Sequence, residues 1–159
     1  MDIYVLLYLV FIVAPLSSLL HETGHAAAAR TVGADQITLS IGLGKRIKTI
    51  IFDNVQITFH AIFFLGGLAK SERLIPYKPW EIIWITLVGP LTNAFFALLF
   101  YILYGIYPNE YLQLLFLFNV WIAFINSIPF KIKERRSDGY LILQTIFSKK
   151  DTPFKFKHK

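Results

Sequence analysis

The stretch His21-Glu22-Thr23-Gly24-His25 limits this chain more than any other, because it stands at the end of a run of uncharged residues. Side chains four apart on a helix lie one above the other, so both imidazoles can reach one metal ion. Zinc suits such a pair, and a catalytic zinc takes three protein ligands and keeps one position open. Glu22, one residue round from His21, is placed as a general acid/base that takes a proton from water. Thr23, Gly24 and the four alanines Ala26–Ala29 are small, so other segments can approach closely. Two helical histidines could also simply pack and hydrogen-bond. Ionisable residues inside an apolar span are costly, however, and usually functional, which favours a metal site.

That apolar setting is a membrane one. Ile3 to Leu20 is eighteen residues without a charge, roughly 27 Å as a helix against a hydrocarbon core of about 30 Å. Of the 159 residues, 55% are hydrophobic and 16% charged, and mean hydropathy is +0.55. Met1-Asp2-Ile3 lacks the basic start of a secretory signal, so the run is expected to be a retained span of about 3–30. Pro15 should kink or loosen the helix just before the histidines, and Gly33 should stop it. The chain has no cysteine, which excludes disulfides, thiolate ligands and a cysteine nucleophile.

Between Gln36 and Leu68 the period shortens to two. Gln36–Ile41, Ile47–Phe52 and Val55–His60 read as three strands, turned at Gly42/Gly44 and at Asp53-Asn54. Ala61–Leu68 is apolar but too short to span, and is expected to dip into the bilayer. A sheet here could hold an extended substrate by main-chain hydrogen bonds. Further spans are expected at about 81–106, containing Gly89-Pro90-Leu91-Thr92-Asn93, and 111–128, ending at Asn126-Ser127-Ile128-Pro129. Lys131–Arg136 is almost wholly charged, Asp138 to Phe147 forms a short apolar helix, and 148–159 is a basic tail. The expected fold class is a polytopic α-helical membrane protein with three spans, a small membrane-associated β-sheet and a short C-terminal helix. Residues 1–147 would form one unit.

With three spans, Met1-Asp2 and Tyr107–Glu110 share one side and contain no Lys or Arg, while all sixteen basic residues fall on the other. The positive-inside rule then places the N-terminus outside and the C-terminus and the active-site side in the cytoplasm. The net charge of +6 is thereby an inner-leaflet feature facing anionic lipids, and nucleic acid is not expected as a partner.

A third ligand is needed. The extended motif with a third histidine fails at Ala28 and Thr31, and no glutamate lies between Glu22 and Glu72. His60, Glu72, Glu134 and Asp138 are the candidates, and Asp138, just beyond the third span at the depth of His21, suits best. An Asp-Gly turn or a helix cap would explain the same residue.

Taken together, H-E-x-x-H in one span, Gly89-Pro90-Leu91-Thr92-Asn93 in the next, and Asn126-Ser127-Ile128-Pro129 with Asp138-Gly139 in the third resemble the site-2 protease family of intramembrane zinc metalloproteases. Gly66-Gly67, ending the sheet region, matches as well. The resemblance implies Zn2+ held by His21, His25 and Asp138, with Glu22 as general acid/base. It further implies Asn93 as a contact to substrate or oxyanion, Asn126 as support for the third-ligand segment, and Gly66 and Gly67 as substrate contacts. The Pro129–Asp138 gap is longer than the family's usual one, and Tyr140 replaces a common glycine. The chain reads as a minimal catalytic core that hydrolyses peptide bonds in or near the spanning segment of a membrane protein or hydrophobic precursor peptide. Two other classes compete: an inactive relative that binds membrane segments, which intact Glu22 disfavours, and a small carrier, which three spans without repeats disfavour. A homo-oligomer stays open.

Overall fold

The computed structural model describes residues 2–133 and 135–147; the expected basic tail and the ligand candidate Glu134 lie outside them. Three helices are long and apolar enough to cross a membrane: α1 (Ile3–Thr31), α2 (Pro79–Ile106) and α3 (Glu110–Ser127). Their bounds agree with the sequence expectation to within two residues. Between α1 and α2 lies an antiparallel hairpin of β1 (Gln36–Phe52) and β2 (Val55–Glu72). After α3 come the two-residue strands β3 (Lys131–Ile132) and β4 (Arg135–Arg136), then the short helix α4 (Asp138–Phe147).

Pro15 acts where it was expected to. A proline has no N–H and its ring collides with the carbonyl four residues back. In α1 the residues just before it, Leu9–Val13, widen into a π-helical turn, after which regular α-helix carries the histidines. Pro90 interrupts α2 without ending it.

The sheet departs from expectation. Instead of three strands there are two long ones, and Ala61–Leu68 is part of β2. Gly42 and Gly44 have φ of 83° and 88°, which lets β1 bend. Its first half, Ile37–Ile41, is thereby flanked on both sides, by Val55–Phe59 and by Ser71–Gly67, while Lys48–Phe52 lines the outside of Val55–Phe59. Within the apolar stretch, Ile62 pairs with Leu43, Gly67 with Ile41 and Leu68 with Ser40. Uniform apolarity over Ala61–Leu65 hid the strand, because it has no alternation.

Ile37 anchors the sheet to the end of α1 by packing against Ala29 and Ala34, with Ala26, Val55 and Ile85 around them. The alanine run makes that approach short. At the other end of the loop Arg73 ties three segments together. It donates to the Val32 carbonyl at the end of α1 (2.6 Å) and pairs with both carboxylate oxygens of Glu81 in the first turn of α2 (3.1 and 2.8 Å).

Helices α1 and α2 touch most closely at Gly24. A Cβ there would fall on the Thr92 hydroxyl and within 2.8 Å of the Val88 carbonyl. Backbone cannot yield as a flexible side chain can, so Gly24→Ala must push the helices apart. A loss of about 1–3 kcal/mol is expected, read as a lowered melting temperature of the detergent-purified protein; an unchanged melting temperature would contradict this packing.

Candidate metal centre

Helix α1 sets His21 and His25 on the face turned to α2, and each ring is held by its Nδ1. His25 Nδ1–H donates to the Ile85 carbonyl (2.8 Å). That carbonyl lies in the turn where Pro90 leaves Thr86 without its usual N–H partner. Gly89 makes room, since a Cβ there would strike the His25 ring. His21 Nδ1 faces Asn93 Oδ1 at 2.7 Å. A carbonyl oxygen can only accept, so both rings carry a proton on Nδ1, and in the neutral form each presents Nε2 as a lone pair.

The two Nε2 atoms lie 3.1 Å apart. Asp138 comes to both: its Oδ2 is 3.0 Å from His21 Nε2 and its Oδ1 3.5 Å from His25 Nε2. Oδ2 is buried, and its near neighbour is His21 Nε2. With both rings neutral, three acceptors converge here, an arrangement that calls for a proton or a metal cation between them. Their ligand atoms all fall within 4.8 Å of one another, and this is the one such group among the described residues. The donor set fits zinc.

Asp138 is delivered by the segment whose length departs from the family pattern. The extra residues form the β3–β4 hairpin, with Lys133 at φ 54°. A hairpin returns the chain to where it left: Ser137 N donates to Phe130 O (3.1 Å) and Phe130 N to Ser137 Oγ (3.0 Å). The Pro129–Asp138 stretch thus leaves from the end of α3 and comes back to it before Asp138. Ser137 also caps α4, accepting from Tyr140 N (3.2 Å), and its hydroxyl donates to Ile128 O (2.7 Å). Gly139 lets α4 lie against the Ser127 carbonyl, where a Cβ would collide.

Other expected residues take different places. Glu22 lies between α1 and the sheet, against Gly67 and beside the Ala69 backbone amide. A Cβ on Gly67 would stand 2.8 Å from Glu22 Cγ, so this glycine makes room for the carboxylate. Gly66, at φ 71°, has open space where a side chain would be. Asn93, expected as a substrate or oxyanion contact, has a fully buried side chain whose polar atoms are engaged by His21, Ser17 O (3.0 Å) and Asn119 Oδ1 (2.8 Å). Asn126, expected to support the third-ligand segment, donates its amide to Ile122 O of its own helix (3.1 Å). His60 and Glu72 are not part of the cluster. Sequence reasoning missed Ser17, Asn119 and Ser137. A lone amide at Asn119 in an apolar span was the available signal.

Fold and site define a class: an integral membrane protein in which the first span and the start of the short helix α4 bring a His-His-Asp cluster together beside a small sheet. A family model, Peptidase family M50, matches residues 5–111, about two thirds of the chain. The chain belongs to that family, the site-2 protease family of membrane metallopeptidases. The match includes both histidines and Asn93 and stops before Asp138, whose placement rests on geometry. No curated protein matches the chain.

Ser137→Ala removes the cap of α4 and the clasp that closes the hairpin. We expect about 1–2 kcal/mol of lost stability and weaker zinc retention against a chelator. Wild-type zinc retention in that variant would show that the clasp does not place Asp138.

Proposed function

We propose that this protein is a zinc-dependent intramembrane endopeptidase, with His21, His25 and Asp138 as metal ligands and Glu22 as general acid/base. The observation that carries the reading is the convergence of two imidazole Nε2 atoms, each ring held through its Nδ1, on one buried carboxylate. A zinc ion bound there supplies a Lewis acid for the scissile carbonyl and makes a water acidic enough to attack near neutral pH. Glu22 accepts the proton of the attacking water and returns it to the leaving nitrogen. Asn93 and the Ile85 carbonyl keep both imidazoles aimed while this happens.

A helical substrate hides its amides in its own hydrogen bonds, so the scissile stretch has to unwind. The part of β2 from Gly67 to Glu72 supports a clamp for it. It pairs with β1 along one edge only among the described residues, and Gly67 packs against Glu22. Its free edge can add an extended chain by main-chain bonds. On the other side of the site, a cavity of about 320 Å³ lined by Leu87, Pro90, Ser127 and Asp138 leaves apolar room near the third ligand. Substrates of this class are single-span membrane proteins, their stubs, or hydrophobic precursor peptides. The side bias of the basic residues supports a cytoplasmic site with the N-terminus outside.

Glu22→Gln keeps the shape of the side chain and removes the base. In reconstituted vesicles with a single-span reporter, cleavage should fall by a factor of about 10²–10⁴ while zinc content stays that of wild type. Full cleavage by that variant would refute the mechanism.

A further inference from the structure

Behind Asn93 lies a chain of hydrogen bonds that joins all three spans. Ser17 on α1, Asn93 on α2 and Asn119 on α3 are each fully buried, 0% exposed, in helices that are otherwise apolar where they meet. Asn93 Nδ2 donates to Ser17 O and to Asn119 Oδ1, and Asn119 Nδ2 donates to Ser17 Oγ (2.9 Å) and Leu115 O (2.8 Å). An amide can ordinarily be turned over, exchanging its donor and acceptor ends. Here it cannot. Leu115 O is a main-chain carbonyl and can only accept, so it must face the NH2 of Asn119, which turns Asn119 Oδ1 towards Asn93. Ser17 O, another main-chain carbonyl, likewise demands the NH2 of Asn93. With both N–H groups of Asn93 committed, its oxygen is left for His21 Nδ1.

We propose that Asn119, on the third span, is a positioning residue for the metal centre: through Asn93 it fixes the Nδ1–H form of His21 and so keeps Nε2 free as a ligand. The inference rests on reading His21 as a metal ligand. Asn119 touches neither the cluster nor Glu22; it acts by giving Asn93 its second acceptor. A leucine in its place leaves one Asn93 N–H buried with no partner. That group regains an acceptor only by rotating the amide, which swings the oxygen away from His21. Partners behind metal-ligating histidines commonly change metal affinity 10–100-fold when removed. The ordered chain also makes the site depend on where α3 sits, although α3 contributes no ligand.

The test is the tautomer of His21 in metal-free, 15N-histidine-labelled protein in detergent, read from the two-bond 1H–15N pattern. The resonance is assigned by its loss in His21→Ala. In wild type Nδ1 should carry a proton throughout, with Nε2 either free or, in the imidazolium, paired with Asp138. In Asn119→Leu a share of Nε2–H should appear, with zinc affinity by chelator competition down about 10-fold or more. Two variants separate positioning from mere packing. Ser17→Ala removes one bond to Asn119 but leaves Leu115 O to orient it, so melting temperature should fall while the tautomer stays. Asn119→Asp keeps an oxygen facing Asn93, and should also retain the Nδ1–H form at reduced stability. A pure Nδ1–H form with wild-type zinc affinity in Asn119→Leu would overturn the proposal. Should Asn119→Leu fail to fold, a Nε2–H form in Asn119→Asp would overturn it equally. Failure of the wild type to bind zinc would sink the proposed function instead, and leaves the tautomer result readable.

Discussion

Three lone pairs facing one another across about 3 Å, away from water, set the terms for the rest of this structure. With both rings neutral, His21 Nε2, His25 Nε2 and Asp138 Oδ2 have no protons to share, because each ring's proton is directed to an outer acceptor. Such a cluster costs free energy in a low-dielectric setting unless a cation joins it. The fold maintains it by over-determination. Asn93 and Ile85 O fix the rings, Gly24 and Gly89 let α1 and α2 close, and Ser137 clasps the hairpin that carries Asp138.

These supports come from three directions, which explains the economy of the chain. α1 supplies two ligands and the candidate base. α2 supplies only orientation and room. α3 and the hairpin deliver the third ligand, while the sheet reaches over Glu22 from the remaining side. Anything extended along the Gly67–Glu72 edge would lie beside Glu22, so clamp and chemistry share one border.

How much of this was legible in the sequence follows from the range of each interaction. The His21/His25 pair is a local matter of helical spacing and was readable outright, as were the three apolar spans. Asp138 could be nominated by depth and by resemblance. That the long, basic Pro129–Asp138 gap returns to its starting point depends on Phe130 meeting Ser137, a pairing no periodicity announces. Ala61–Leu68 gave no alternation, because its partner is the already paired first half of β1, and so its strand was unreadable. Asn93 was noticed but assigned to substrate. Which way a buried amide points is decided by carbonyls on other helices, and these have no sequence signature.

The most direct measurement is zinc per chain, by elemental analysis, in detergent-purified wild type and Asp138→Ala. About one zinc in the wild type, lost or bound far more weakly in the variant, is the result this account predicts. Zinc retained in full by Asp138→Ala, or none in carefully prepared wild type, would contradict it.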